Sequence, residues 1–269
     1  MSGGDFLNLL KKEGYGFGSP SASPYPATSP YPIDLSGKAG LASATTILAF
    51  KYKGGILIAG DRRATAGTTV MHDRADKVID IDRYAVMAIA GVPATAFEMA
   101  RVLSHTFKYY RRSQLQDLSL EGKVRALSRL LKENAPMALQ GVGAVAPIFA
   151  VYDPLIKEGR IYFYDILGAE FEVVEFATTG SGSPGIRGAL HHHNKWSETP
   201  ANEAGEEEAI VLAMRLLETA AEFDVATSGV KKADNIFPII KTIDKEGVHT
   251  VPLDRLNALY REKVSPNDV

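Results

Sequence analysis

The chain contains no cysteine in 269 residues. A disulfide framework, a thiolate metal site and a cysteine nucleophile are therefore excluded. It also lacks an excess of positive charge. Thirty Lys and Arg face 32 Asp and Glu, a formal net charge of −2. That balance gives no reason to expect a nucleic acid or an anionic membrane as partner. No apolar run approaches the roughly 20 residues of a membrane span. A basic stretch followed by an apolar one is missing near Met1, so a secretory signal is not expected. With 45% hydrophobic and 23% charged residues, the chain is expected to be a soluble, cytoplasmic globular protein.

Metal-ligand spacing is absent as well. His191-His192-His193 are consecutive, and on a helix they point about 100° apart, so they cannot converge on one ion. His72, His105 and His249 are scattered. No metal and no other cofactor are expected. Trp196, the single tryptophan, is expected to pack under a helix end, without a functional role.

What is present divides the chain in two. Between Gly14 and Gly40, Pro20, Pro24, Pro26, Pro30 and Pro32 alternate with Ser, Ala and Tyr. Proline fixes φ and removes backbone donors, so neither helix nor ladder forms there. Residues 1–44 read as an extended or disordered leader, opened by a short amphipathic patch with Phe6, Leu7 and Leu10. Residues 45–269 read as one domain. At the boundary stands Ala44-Thr45-Thr46-Ile47, followed by an apolar run to Phe50.

The domain alternates in blocks. Strands are expected over Thr46–Tyr52 and Ile56–Asp61, joined at Gly54-Gly55, then around Val70, Lys77–Ile81 and Tyr84–Ala90. Ala96, Met99, Leu103, Phe107 and Tyr110 mark one apolar helical face, and Leu120, Val124, Leu127 and Leu131 another. Strands return at Val145–Tyr152, Arg160–Ile166 and Phe171–Ala177. Helices follow near Ser183–Asn194 and Asn202–Phe223. A hairpin of Ile236–Ile243 with Val248–Val251 and a short helix, Leu253–Arg261, complete the set. Segregated runs of strands and helices exclude βαβ alternation. Two antiparallel sheets, each covered by a helix pair, fit this order.

A threonine opening such a domain has one special use. If the chain is cut before Thr45, that residue gains a free α-amine beside its hydroxyl, a base and a nucleophile in one residue. An α-amine titrates at about 7.7–8.0, near enough to neutrality to accept a proton.

Six segments then carry a resemblance: Thr45-Thr46-Ile47, Gly60-Asp61-Arg62-Arg63, Lys77-Val78, Ile89-Ala90-Gly91, Gly180-Ser181-Gly182-Ser183 and Asp224-Val225-Ala226-Thr227. They occur in the order seen in proteasome β subunits, which the chain resembles from Thr45 to its C-terminal region. The leader and the Asp-x-Ala-Thr element followed by Ile236-Phe237-Pro238 look most like bacterial, actinobacterial-type subunits in precursor form. The fold this implies is α+β, the four-layer αββα sandwich of N-terminal-nucleophile hydrolases.

The resemblance also implies roles. Thr45 matches the nucleophile, Lys77 the lysine beside it, and Asp61 that lysine's counter-charge. Gly91 matches the oxyanion donor, and Ser181, Asp224 and Thr227 the groups that orient the amine. Ala64, Ala75, Ile79 and Ile89 match the primary side-chain pocket. That pocket is uncharged and suits apolar residues. Thr65 and Gly91 match contacts to the peptide backbone. The implied activity is threonine-type endopeptidase cleavage of polypeptides after apolar residues, following autocatalytic removal of the leader between Ala44 and Thr45. The implied partners are proteasome α subunits, a homo-heptameric β ring in a stacked-ring core, and a regulatory ATPase ring. One departure stands out, since self-processing relatives carry glycine where this chain has Ala44. A precursor or silent structural subunit is therefore a second reading. A third is the two-component bacterial threonine protease, whose aspartate motif reads Gly-Asp-Gly-Gln instead.

Overall fold

A computed structural model describes residues 45–66 and 69–265. The expected leader over 1–44, including Ala44, lies outside the described residues. Among the described residues twelve strands and five α-helices follow one another. In order they are β1 (Thr46–Tyr52), β2 (Gly55–Gly60), β3 (Ala64–Ala66), β4 (Thr69–His72), β5 (Val78–Asp82) and β6 (Ala85–Ala88). Helices α1 (Pro93–Gln114) and α2 (Leu120–Leu139) come next, then β7 (Ile148–Asp153), β8 (Glu158–Tyr164), β9 (Glu170–Val173) and β10 (Phe176–Gly180). Helices α3 (Ser183–Trp196) and α4 (Glu206–Phe223), strands β11 (Ile239–Asp244) and β12 (Gly247–Thr250), and helix α5 (Leu253–Leu259) complete the order.

Two five-stranded antiparallel sheets form, β10-β1-β2-β11-β12 and β5-β6-β7-β8-β9. Three apolar layers hold them. Ile47, Ala49, Ile58, Val86, Ala88, Ile148 and Ile161 meet between the sheets. Leu48, Phe50 and Leu57 point the other way, against Ile186 and Leu190 of α3 and Ile210, Met214 and Leu217 of α4. Met87, Phe149 and Tyr162 pack against Leu103, Leu127 and Leu131 of α1 and α2. This is the expected αββα sandwich. It explains the unbroken apolar run of β1: both faces of the strand are buried, so alternation disappears. Side chains still alternate in direction. Ile47 faces the other sheet and Leu48 the helices, which places Thr45 and Thr46 on opposite faces as well.

Local chemistry sets the helix ends. Pro93 starts α1, where its missing N–H costs nothing, and Leu115 closes it at φ 56°. Ser119 caps α2 by accepting the Gly122 N–H at 3.1 Å. The acidic first turn of α4 is anchored rather than free. Glu208 accepts the Gly205 N–H at 2.8 Å, Glu206 pairs with Arg255 and Glu207 with Lys263.

Two expectations are corrected. Phe171–Ala177 is not one strand. The chain bends at Val174-Glu175, and β9 and β10 belong to different sheets. Trp196 is not packed under a helix end. It is 68% exposed, with Lys195 Nζ 5.1 Å from its ring centre.

Candidate active site

Five separate stretches meet at the start of β1. Strand β2 ends at Gly60, so Asp61 leaves the sheet edge with its carboxylate turned inward, fully buried. It accepts Lys77 Nζ at 2.6 Å and the Thr46 N–H at 3.0 Å on Oδ1. On Oδ2 it accepts the Arg63 N–H at 2.9 Å and the Ser228 N–H at 3.1 Å. Lys77 stands just before β5 and is 3% exposed. Burial lowers its pKa from the usual lysine value. Asp61 opposes that by charge and hydrogen bond, and nearby Arg63 adds to the lowering. The expected ion pair is therefore present, buried and hydrogen-bonded.

A second carboxylate lies past the end of α4. Asp224 Oδ2 accepts Ser181 Oγ at 2.6 Å and Thr227 Oγ1 at 2.5 Å, and Oδ1 accepts the Ala226 N–H at 3.1 Å. Burial alone would raise its pKa. The hydrogen bonds from Ser181, Thr227 and Ala226, with the charge of Lys77, outweigh burial and hold it below the ordinary aspartate value.

A cavity of about 470 Å³ opens beside these groups. Thr45, Lys77 and Gly91 line it together, as do Ala64, Ala75 and Ile89 from the expected pocket. Ile79 is not among its lining residues; it packs against the core between the second sheet and α1–α2. Thr65 is not among them either. It is buried, and its hydroxyl has no hydrogen-bond partner among the described residues. Pro93 and Phe97 add to the apolar wall. His72, Arg74 and Asp76 add polar groups that were not foreseen. Arg74 donates to the Asp234 carbonyl at 3.1 Å, and Asp76 pairs with Arg62 at 2.9 Å.

Gly91 sits at φ 119° in an isolated bridge to Val145. The bonds of that bridge are donated by Val92 to Ala144 at 2.9 Å and by Ala146 to Ala90 at 2.8 Å, leaving the Gly91 N–H out of it. A Cβ here would lie 2.1 Å from the Ala144 carbonyl oxygen. Glycine is thus required by the protein's own backbone, before any substrate arrives.

All seven expected catalytic positions gather in this region. Sequence reasoning missed three others: Thr46, Arg63 and Ser228. Arg63 also donates through Nη1 to the Val225 carbonyl at 2.6 Å and the Thr227 carbonyl at 3.2 Å. Only the backbone of Arg63 and Ser228 touches Asp61 closely, so side-chain identity carried no signal.

A larger cavity, about 660 Å³, lies between α3, α4 and the C-terminal turn, lined by His193, Glu208, Arg215 and Lys263. It holds none of the buried charged groups described above. His193 is half-buried there, with its pKa lowered by burial and by Arg215, while His191 and His192 are exposed.

Comparison with known proteins decides the family. Residues 41–232 match the family model described as "Proteasome subunit". The chain belongs to the proteasome subunit family. A proteasome subunit beta of Acidimicrobium ferrooxidans is 37% identical over 236 residues, 87% of this chain and 84% of the relative. Proteasome subunit beta 2 of Thermomonospora curvata is 41% identical over 208 residues, 77% of this chain and 72% of the relative. A proteasome subunit beta of Streptomyces griseus is 37% identical over 213 residues, 79% and 73%. The chain is thus similar to actinobacterial proteasome β subunits over most of its length, and the αββα sandwich accords with that family. Among the described residues no helix is long and apolar enough to cross a membrane.

Proposed function

We propose that this chain is a catalytic β subunit of a proteasome core, a threonine-type endopeptidase that acts inside the cell. The observation that carries this is the single cavity shared by Thr45, Lys77 and Gly91, with Lys77 held on Asp61 behind it. A subunit kept only as scaffold has no use for a buried Lys–Asp pair, which stabilises a fold little against its desolvation cost.

The chemistry follows from the groups present. Before cleavage the Thr45 nitrogen is an amide and cannot serve as base. Attack of Thr45 Oγ on the Ala44 carbonyl, then hydrolysis, frees that nitrogen. The amine then takes the Thr45 hydroxyl proton as Oγ attacks a substrate carbonyl. The Lys77 ammonium makes the hydroxyl more acidic. The Gly91 N–H, outside the bridge that holds its residue, donates to the oxyanion; one such donor is worth about 3 kcal/mol in a well-studied protease. The proton passes to the leaving amine, and water resolves the ester. Ala64, Ala75, Ile89, Pro93 and Phe97 favour large apolar side chains before the cut.

An unguarded protease of this breadth would degrade its own cell, so the site needs a closed chamber. Heterologous interfaces that close make rings. The proposed assembly is two stacked heptameric β rings between rings of α subunits, served by an ATPase ring. Ala44 favours a second reading, a chain held as precursor, because its methyl group narrows the backbone conformations open to self-attack.

Co-expression with an α subunit, followed by intact mass and N-terminal sequencing of the particle, tests both. Thr45 at the N-terminus with peptide hydrolysis is expected, and Thr45→Ala should abolish hydrolysis while the particle still assembles. Chains that retain the leader throughout and hydrolyse nothing would establish the precursor reading instead.

A further inference from the structure

The hydroxyl groups behind Thr45 carry few enough protons that their bonds can have only one direction. The ionised Asp224 carboxylate accepts and cannot donate, and a threonine hydroxyl has one proton. Thr227 gives its proton to Asp224 Oδ2 at 2.5 Å. The 2.5 Å bond between Thr46 Oγ1 and Thr227 Oγ1 must then be donated by Thr46. Thr46 Oγ1 in turn accepts the Gly182 N–H at 3.0 Å. The relay therefore runs from Gly182 through Thr46 and Thr227 to Asp224.

The backbone of Thr46 is equally engaged. Its N–H donates to Asp61 Oδ1 at 3.0 Å, and its carbonyl accepts the Asp61 N–H at 3.1 Å. Its contacts are tight as well. A Cβ on Gly182 would lie 2.7 Å from both Thr46 Oγ1 and Thr227 Oγ1, so glycine is needed for the amide to reach that hydroxyl. Thr46 is fully buried.

We propose that Thr46 is a positioning residue of this site, which ties the Lys77–Asp61 pair to the Ser181–Thr227–Asp224 cluster and fixes Thr45 once the bond to Ala44 is cut. This rests on Thr45 being the nucleophile. After the cut, Thr45 keeps a covalent neighbour on one side only, and that neighbour is Thr46. The Thr45 carbonyl, which lies in the peptide bond to Thr46, accepts the Ser181 N–H at 3.2 Å. Thr46 faces the helices, away from the cavity, so it acts through Thr45 and Thr227 and not on substrate.

The test is steady-state hydrolysis of a fluorogenic peptide, with a leucine before the cut, by processed and assembled enzyme. Thr46→Val keeps shape and β-branching but loses both donor and acceptor. It should lower kcat about 10- to 100-fold, the effect of a displacement on the order of 1 Å at the reacting atom, with KM changed less than about twofold. Thr46→Ser should restore kcat to within about threefold of wild type. Wild-type kcat in Thr46→Val, a loss confined to KM, or a serine variant as slow as the valine variant would each overturn the proposal. Should Thr46→Val not assemble, Thr46→Cys replaces it. A thiol is a weak donor and acceptor, and its kcat should fall at least about fivefold below that of Thr46→Ser; equality overturns the proposal. Thr45→Ala, measured in parallel, separates the two claims. Activity there removes the nucleophile assignment and this proposal with it. An inactive Thr45→Ala beside a fully active Thr46→Val removes the positioning role alone.

Discussion

Removing Asp61 should be far more damaging than removing Lys77, although the two form one ion pair. In Asp61→Ala the Lys77 ammonium keeps its burial and loses the acceptor 2.6 Å away. At pH 7 the most this can cost is the free energy of shedding the proton, about 5 kcal/mol from an unperturbed pKa near 10.4. The N–H groups of Thr46, Arg63 and Ser228 also lose their acceptor. At about 1 kcal/mol or more each, the total reaches about 8 kcal/mol, within the 5–15 kcal/mol that typically hold a domain together. In Lys77→Met the carboxylate is still held by those three N–H groups, and the cost should stay near the lower end of the range for a broken buried pair, about 3 kcal/mol. Urea denaturation of both full-length variants should separate them by several kcal/mol, and neither should hydrolyse peptide. The sign of the pH effect is a second check. A lysine with a lowered folded pKa binds fewer protons folded than unfolded, so stability rises with pH between the two values. Asp61→Ala should therefore recover by up to about 1.4 kcal/mol per pH unit above pH 7, more steeply than wild type. Equal stabilities, or Lys77→Met the worse, would refute the account of Asp61 as the anchor.

Gly91→Ala should cost about 3 kcal/mol, from strain at φ 119° and the clash with Ala144, lowering Tm by roughly 6–12 °C in a domain of this size; a change under 2 °C, on the order of 0.5 kcal/mol, would contradict the geometry. Asp224 has a lowered pKa, so its contribution to stability is present above the ordinary aspartate value and lost as pH falls through the folded one. Asp224→Asn should thus be less stable than wild type at pH 7 and match it more nearly at low pH, read by denaturation at both. Ala75→Phe should narrow the cavity beside Thr45 and reduce kcat/KM for peptides with Phe or Leu before the cut about tenfold more than for Ala, the scale of a few lost methylene contacts; uniform loss would place the side-chain pocket elsewhere.

Much of this was legible from residues alone, for reasons that differ by element. The block order of strands and helices identifies the sandwich because each layer needs one kind of surface. The pairing of Asp61 with Lys77 was readable only through the resemblance, because either residue alone would ordinarily be a solvated charge at a strand end. Thr46 was not readable. Alternation along a strand points it away from Thr45, and a threonine in a strand is ordinary. The break between β9 and β10 had no turn residue to mark it, since Val174-Glu175 contains neither Gly nor Pro. Gly91 was expected in its position through the resemblance, and the nearness of the Ala144 carbonyl, which gives glycine a second reason to stand there, is a tertiary fact. Trp196 was misplaced because an aromatic at a helix end can stay in solvent, with a neighbouring lysine ammonium over its ring, instead of entering the core.

Asp61 receives its donors from residues 46, 63, 77 and 228. Those positions span most of the domain and both sheets' approaches to the site. No fragment that emerges early in synthesis contains them all. On the proposed function, chemical competence is a late event in the life of the chain, reached only when the segment around Ser228 has closed over the carboxylate. A nascent or half-folded subunit would then be harmless for the same structural reason that makes the finished one reactive.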